Sequence, residues 1–197
     1  MKTSTAAPVI RTLAAALLLG CLAAPLAAAP GRVTDPDAPR SLQLRSPVSV
    51  SWEDPAGFSE LRHSHNRFEA ARGDWVERIA RHLQSRVADA LPAGERMELT
   101  ITDIERAGDY EPWAGVDLRD VRVVRDLYPP RMSLSFTRYG ADGQVIAQGE
   151  RNLADPGFLF GTRANESDPL RFEKRMIDDW VRRELRPTGA AMSRSTS

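Results

Sequence analysis

The sequence predicts an α+β fold, a two-layer sandwich in which a mixed sheet of about four strands is covered on one face by two helices. Three observations predict it. Several segments alternate between apolar and polar residues, which is typical of strands with one buried face. Two others repeat apolar residues at every third or fourth position, which is typical of amphipathic helices. The order of the elements is β-α-β-β-β-α, and a helix between the first two strands indicates that these run parallel.

Three of the four predicted strands alternate cleanly, at residues 48–52, 97–102 and 131–139, and residues 144–153 return as a hairpin partner. Asp54-Pro55 ends the first strand, and Ala141-Asp142-Gly143 supplies the turn that joins the last two into a hairpin. A further short strand is predicted over residues 121–124, within a long connection. The stretch from residue 56 to residue 73 has no clean period, so we expect an irregular connection there.

The first predicted helix follows Asp74, a residue type that caps helices, and Pro92 stops it. The second follows Asp168-Pro169 and ends before Pro187. Four acid–arginine pairs at i,i+4 spacing are expected to stabilise the two helices. They are Asp74–Arg78, Glu77–Arg81, Asp178–Arg182 and Asp179–Arg183. The apolar stripes include Trp75 and Trp180, which we expect to be buried in one core together with Trp52 of the first strand.

Residues 1–29 are typical of a secretory signal peptide. Lys2 and Arg11 give the N-terminal region a positive charge, an apolar run follows, and Ala27-Ala28-Ala29 offers a cleavage site. The apolar run is shorter than the about 20 residues that span a bilayer, so no transmembrane anchor is expected after cleavage. We then expect an exposed linker at residues 30–46, a single α+β domain at residues 47–186 and a disordered tail at residues 187–197.

Cys21 leaves an alternative for the N-terminus. Leu18-Leu19-Gly20-Cys21 resembles the signal of bacterial lipoproteins, in which the cysteine is lipidated and holds the protein at a membrane. If cleavage follows Ala29 instead, the mature chain has no cysteine, which suits an oxidising compartment and excludes thiol catalysis. The sequence thus predicts a periplasmic or secreted protein, with a membrane-anchored lipoprotein as the alternative.

Composition excludes further classes. Lys+Arg and Asp+Glu both number 27, so there is no positive surplus of the kind that nucleic-acid binding requires.

His63 and His65 are the only closely spaced histidines, and an H-x-H pattern can begin a zinc or copper site. A third ligand would have to come from Glu53, Asp54, Glu60 or His82, and otherwise the two histidines are solvated loop residues. We predict no cofactor.

The long connection after the second strand contains the best candidate for a binding surface. Tyr110 and Trp113 lie there among glycine and proline, and Tyr128 lies nearby. Long connections in compact domains are often functional, and these residue types are favoured at interfaces. The alternative is that Trp113 folds back and covers an open end of the core.

Five short segments resemble, in order and spacing, the exported bacterial family known as domain of unknown function 3016. They read GDW, LTITDI, AGDYEPW, DLYPPR and DDW, at residues 73–75, 99–104, 107–113, 126–131 and 178–180. The resemblance implies export in Gram-negative bacteria and one small domain, and it carries over no catalytic or binding residue. We therefore expect a non-catalytic periplasmic accessory or binding module, with an envelope protein or a cell-wall component as its partner. The alternative is a metal-binding protein or metal-dependent hydrolase centred on His63 and His65.

Overall fold

The computed structural model describes residues 31–42, 47–160 and 167–185. The expected signal peptide, Cys21 and the expected tail after residue 186 lie outside the described residues. Four strands form the main sheet: β1 (Val48–Trp52), β2 (Arg96–Glu105), β5 (Arg131–Tyr139) and β6 (Val145–Ala154). A small ribbon pairs β3 (Asp109–Tyr110) with β4 (Arg122–Val123), where the sequence predicts a short strand.

The main sheet has the strand order β1-β2-β5-β6, with β1 parallel to β2 and the other neighbours antiparallel. Val48 lies opposite Met97 across the parallel pair, and β5 and β6 form the expected hairpin. The apolar residues of the alternating segments face one side, where they are buried. The predicted mixed four-stranded sheet of an α+β fold is therefore confirmed.

Two long helices, α3 (Trp75–Ala90) and α4 (Arg171–Glu184), contribute their apolar stripes to the same core as the sheet. Trp52, Trp75 and Trp180 all belong to this cluster and are almost fully buried, as predicted. The Trp75 indole Nε1 donates a hydrogen bond to the Ala70 carbonyl oxygen at 2.9 Å. No helix in the described ranges is long and apolar enough to cross a membrane.

The helix ends and ion pairs follow tertiary contacts more than local spacing. Asp74 precedes α3, but its side chain makes no capping hydrogen bond. Asp168 Oδ1 accepts a hydrogen bond from the Leu170 N–H at 2.9 Å, and Leu170 directly precedes the first residue of α4. The predicted Glu77–Arg81 pair forms, whereas Arg78 pairs with Asp168 instead of Asp74.

On α4 the predicted partners are also replaced. Asp178 Oδ1 contacts His82 Nε2 at 2.8 Å and Arg86 Nε at 2.9 Å, both on α3, and Asp179 pairs with Arg182 at i,i+3 spacing. The packing of α3 against α4 brings residues about 90 positions apart within reach, and i,i+4 spacing carries no information about such pairs.

Two regions are more ordered than the sequence predicts. Residues 56–73, predicted to be irregular, contain the short helices α1 (Ser59–His63) and α2 (Arg67–Ala70), which are too short to show a helical period. Residues 31–42, within the predicted linker, pack onto the domain because Val33 and Leu42 enter the core. Leu42 N–H donates to the Val50 carbonyl at 2.9 Å, so this segment covers the outer edge of β1.

The connection between β2 and β5, residues 106–130, leaves the sheet at the end where β1 delivers the chain to α1. Gly108 lies where it begins, with a φ of +80°. A Cβ atom there would lie 2.6 Å from the Val123 carbonyl oxygen, so only glycine fits against β4 at this point. The connection therefore folds back on its own start.

Candidate functional site

A cleft of about 300 Å³ lies at the carboxyl ends of the two parallel strands β1 and β2. Three segments line it: residues 59–64 in and after α1, residues 105–109 at the end of β2, and residues 127–131 before β5. Ligands commonly bind outside the carboxyl ends of parallel strands, because the loops that follow them diverge there. The cleft is thus the best-placed concave site in the described part of the chain.

The floor of the cleft is a buried ion cluster around Glu60, whose side chain is only 2% exposed. Glu60 Oε1 accepts from Arg106 Nη2 at 2.8 Å and also from Arg122 Nη2. Glu60 Oε2 accepts from the Arg106 backbone N–H at 2.9 Å. One carboxylate therefore holds two guanidinium groups, and it joins α1 to the residue after β2 and to β4.

Both arginines of the cluster also lie over aromatic rings. The Arg106 guanidinium is 4.4 Å from the Trp75 ring centre, and that of Arg122 is 4.9 Å from Tyr110. Burial opposes the charge of Arg122, but Glu60 and Tyr110 outweigh it and raise the pKa of Arg122. For Arg106 burial is the stronger effect and lowers the pKa. The cluster is a rigid charged base rather than a set of mobile surface residues.

A second buried carboxylate, Glu173 of α4, supports the same backbone from below. Its Oε1 accepts the Ala107 N–H at 2.7 Å, whereas Oε2 has no partner among the described residues. Burial raises the pKa of Glu173 above the usual range of a carboxyl group. This side chain anchors the start of the connection to the helical layer.

The rim carries a loosely paired group. Glu105 Oε1 lies 4.0 Å from His63 Nδ1, and Glu105 Oε2 lies 3.5 Å from Arg131 Nε. Burial raises the pKa of Glu105, and the neighbouring Arg131 and His63 only partly oppose this. Half-buried carboxyl groups with displaced pKa values in clefts are candidates for functional groups.

In the structure each of the two predicted histidines lies beside a different carboxylate. His65 Nδ1 lies 2.6 Å from Asp109 Oδ2, whose other oxygen accepts the Tyr110 N–H at 2.8 Å. His63 faces Glu105 at the longer distance given above. In the ranges that the structure describes, no group of three or more His, Cys, Asp or Glu side chains is arranged to hold a metal ion.

The residues expected as possible third metal ligands are found in other environments. Asp54 pairs with Arg40 at 3.2 Å, His82 lies against Asp178 between the long helices, and Glu60 is the centre of the ion cluster. Glu53 is exposed. The acids that do approach His63 and His65 are Glu105 and Asp109, which lie about 44 residues away along the chain, so local spacing does not identify them.

The three predicted aromatic residues fall into three environments. Tyr110 is buried beneath Arg122. Tyr128 is half-buried in the cleft wall, and its hydroxyl donates to Glu111 Oε1 at 3.2 Å. Trp113 is 62% exposed, and its ring meets the His65 ring edge-on at 4.8 Å. Of the three, Trp113 presents the largest surface to solvent, and it is not part of the core.

Trp113 does not stand alone on the connection. Five further large apolar side chains of the same segment are exposed: Val116, Leu118, Val121, Val124 and Leu127. A run of exposed apolar residues is unusual for a soluble domain and is typical of surfaces that bind partners. Leu127 also lines the cleft, so the apolar surface and the cleft meet there.

Two of the five sequence segments quoted above, residues 107–113 and 126–131, form walls of the cleft or its rim. No curated protein and no solved structure matches the chain. The family model described as a protein of unknown function, DUF3016, matches residues 46–183, which is most of the chain. The chain therefore belongs to the DUF3016 family.

Proposed function

We propose that the protein is exported to the periplasm, loses its first 29 residues there, and acts as a non-catalytic accessory or binding module. The observation that carries the proposal is the exposure of Trp113 together with the apolar residues of the same connection. Burying such a side chain against a partner releases about 25 cal/mol per Å² of apolar surface, and tryptophan is enriched among the residues that dominate interfaces.

The polar groups near this surface support binding more than catalysis. Glu60 accepts hydrogen bonds from two arginines and one backbone N–H, and Asp109 from His65 and a backbone N–H. Carboxylates that accept several hydrogen bonds from neighbouring groups hold those groups in place and so fix the shape of a site. The surface around Trp113 thus lies on a part of the structure that these hydrogen bonds hold in place.

The test compares two variants with equally exposed aromatic residues. Trp113 is 62% exposed on the connection, and Phe68 is 64% exposed on α2, outside it. Trp113→Ala should abolish capture of the partner from envelope extracts, with the melting temperature nearly unchanged, and Phe68→Ala should capture normally. Equal capture by both variants, or a Trp113→Ala protein as unstable as a core variant, would contradict the proposed surface.

Export has its own test. Intact-mass measurement of the periplasmic protein should show the loss of about 29 residues, as expected for signal-peptide removal. A full-length chain in the cytoplasm would contradict export, and a lipid adduct that starts at Cys21 would establish the lipoprotein alternative.

The alternative function is a metal-binding protein or metal-dependent hydrolase centred on His63 and His65. The observation that favours it is that each histidine has a carboxylate beside it, Glu105 or Asp109. Metal analysis of protein purified without a histidine tag tests it. A stoichiometric metal that is lost in both His63→Ala and His65→Ala would favour this alternative over the binding module.

A further inference from the structure

The charges of the cleft balance overall, because three carboxylates line it and three arginines, Arg106, Arg122 and Arg131, contact them. Each lining carboxylate has a cationic or imidazole neighbour: Glu60 has Arg106, Asp109 has His65, and Glu105 has Arg131. A ligand with a net charge of either sign would therefore meet repulsion from one member of a pair as well as attraction from the other. The lining favours a neutral ligand that offers donors and acceptors side by side.

The backbone of the cleft is already engaged. Gly108 N–H donates to the Tyr128 carbonyl at 3.0 Å, the Gly108 carbonyl accepts from Arg122 Nη1 at 2.6 Å, and the Arg106 N–H donates to Glu60. A peptide ligand bound by strand addition needs unpaired backbone groups along an edge. At these positions recognition falls to the side chains, which disfavours a peptide.

The side chains with hydrogen-bonding capacity to spare lie at the rim. Glu105 accepts no hydrogen bond from the described residues, and Arg131 and His63 are mostly exposed. A carboxylate accepts from hydroxyl groups, and a guanidinium group donates two hydrogen bonds side by side. Both therefore match neighbouring hydroxyl groups on a ring.

The wall beside these groups is apolar and partly aromatic. Leu127, Tyr128 and Pro129 form it, and Trp113 lies beyond the His65–Asp109 pair. The flat faces of aromatic rings pack against C–H groups, which cover one side of a sugar ring while its hydroxyl groups point to the edges. A polar rim beside an exposed aromatic residue thus suits a carbohydrate.

We propose that the cleft binds a neutral stretch of carbohydrate chain, with Glu105 accepting from a sugar hydroxyl, Arg131 donating to its neighbour, and Trp113 against an adjoining sugar ring. The inference rests on the proposed binding function and names the class of its ligand. Between the two partner types expected from the sequence, it selects the cell-wall component for the cleft.

The test is an NMR titration of the exported chain with two neutral probes, chitotetraose and cellotetraose, and one charged probe, tetragalacturonate. A neutral probe should shift the amide signals of Glu105, Gly108 and Arg131 with a Kd of about 0.1–1 mM. It should also change the fluorescence of Trp113, since the other three tryptophans are buried. Tetragalacturonate should bind several-fold more weakly.

Glu105→Gln should weaken binding of the neutral probe about tenfold, because it removes a charge-assisted hydrogen bond. The matched control is Glu98→Gln, since Glu98 is an exposed carboxylate paired with Arg96 away from the cleft. Equal loss in both variants, tighter binding of tetragalacturonate, or no shift at about 20 mM of either neutral probe would overturn the inference.

The outcome is separable from that of the proposed function. If neither neutral probe binds but Trp113→Ala still loses a protein partner, the carbohydrate inference is wrong and the binding module stands. If a neutral probe binds at the cleft but Trp113→Ala and Phe68→Ala capture proteins equally, the carbohydrate inference is supported and a protein-binding role for Trp113 is wrong.

Discussion

Replacing Glu60 by glutamine tests whether the ion cluster holds the cleft together. The substitution keeps the size and shape of the side chain, and its amide oxygen can still accept a hydrogen bond from the Arg106 N–H. It removes the carboxylate that, within the described ranges, is the only one shared by the Arg106 and Arg122 guanidinium groups. Two largely buried cations would then face each other without a counter-charge.

The expected cost follows from the geometry. At an effective dielectric constant of about 20, unit charges about 4 Å apart interact with about 4 kcal/mol, and the cluster contains two such attractions offset by burial. Breaking a buried pair by removing one partner costs about 3–5 kcal/mol. A domain is stable by about 5–15 kcal/mol, so Glu60→Gln should lower the melting temperature by about 6–20 °C.

The cluster contains two arginines and one carboxylate, and this ratio gives a second, more specific prediction. Arg122→Gln leaves Glu60 and Arg106 as a neutral pair, so it should cost clearly less than Glu60→Gln. Both are compared by urea unfolding followed through tryptophan fluorescence at pH 7, in about 0.1 M and 0.5 M salt. Because the cluster is buried, the loss for Glu60→Gln should hardly depend on salt.

The control is Glu98→Gln, which removes one member of an exposed pair and should cost less than about 1 kcal/mol. If Glu60→Gln costs no more than Glu98→Gln, or if Arg122→Gln costs as much as Glu60→Gln, the reasoning from an unbalanced buried charge is wrong.

Three further variants test other parts of the structure, each by urea unfolding. Burial raises the pKa of Glu173, so the folded chain holds this proton more tightly than the unfolded chain, and the resulting stability is lost as pH rises. Glu173→Gln should thus be more stable than the parent at pH 8 and not at pH 4. Trp180→Ala should cost about 3–5 kcal/mol. Leu42→Ala should cost about 2–5 kcal/mol, whereas a linker residue would cost under about 0.5 kcal/mol.

The elements that the sequence predicts are those with enough length to show a period. The stripe of α3 repeats over four turns and the alternation of β5 over nine residues, so burial alone specifies them. The helices α1 and α2 have five and four residues, which is too short for a period. Val33 and Leu42 are single apolar residues in a proline-rich stretch, and single residues carry no periodic signal.

The candidate site could be predicted only in part. The sequence singles out His63, His65 and Trp113 by residue type, and all three lie at or beside the cleft. The pairing of Glu60 with Arg106 and Arg122 joins residues 46 and 62 positions apart. Such pairs depend on how β2 and the connection fold back over α1, and no local spacing reports that arrangement.

The long connection owes its shape to these distant pairs. It has little regular structure, but three contacts hold it. Glu173 accepts a hydrogen bond from the backbone at its start, Glu60 pairs with Arg122 in β4, and the Tyr128 carbonyl accepts from the Gly108 N–H. A surface segment that is ordered before binding loses less conformational entropy when a ligand arrives. The buried charges therefore stabilise a preformed surface around Trp113. If Glu60→Gln loosens the connection, ligand affinity should fall even under conditions where the core stays folded.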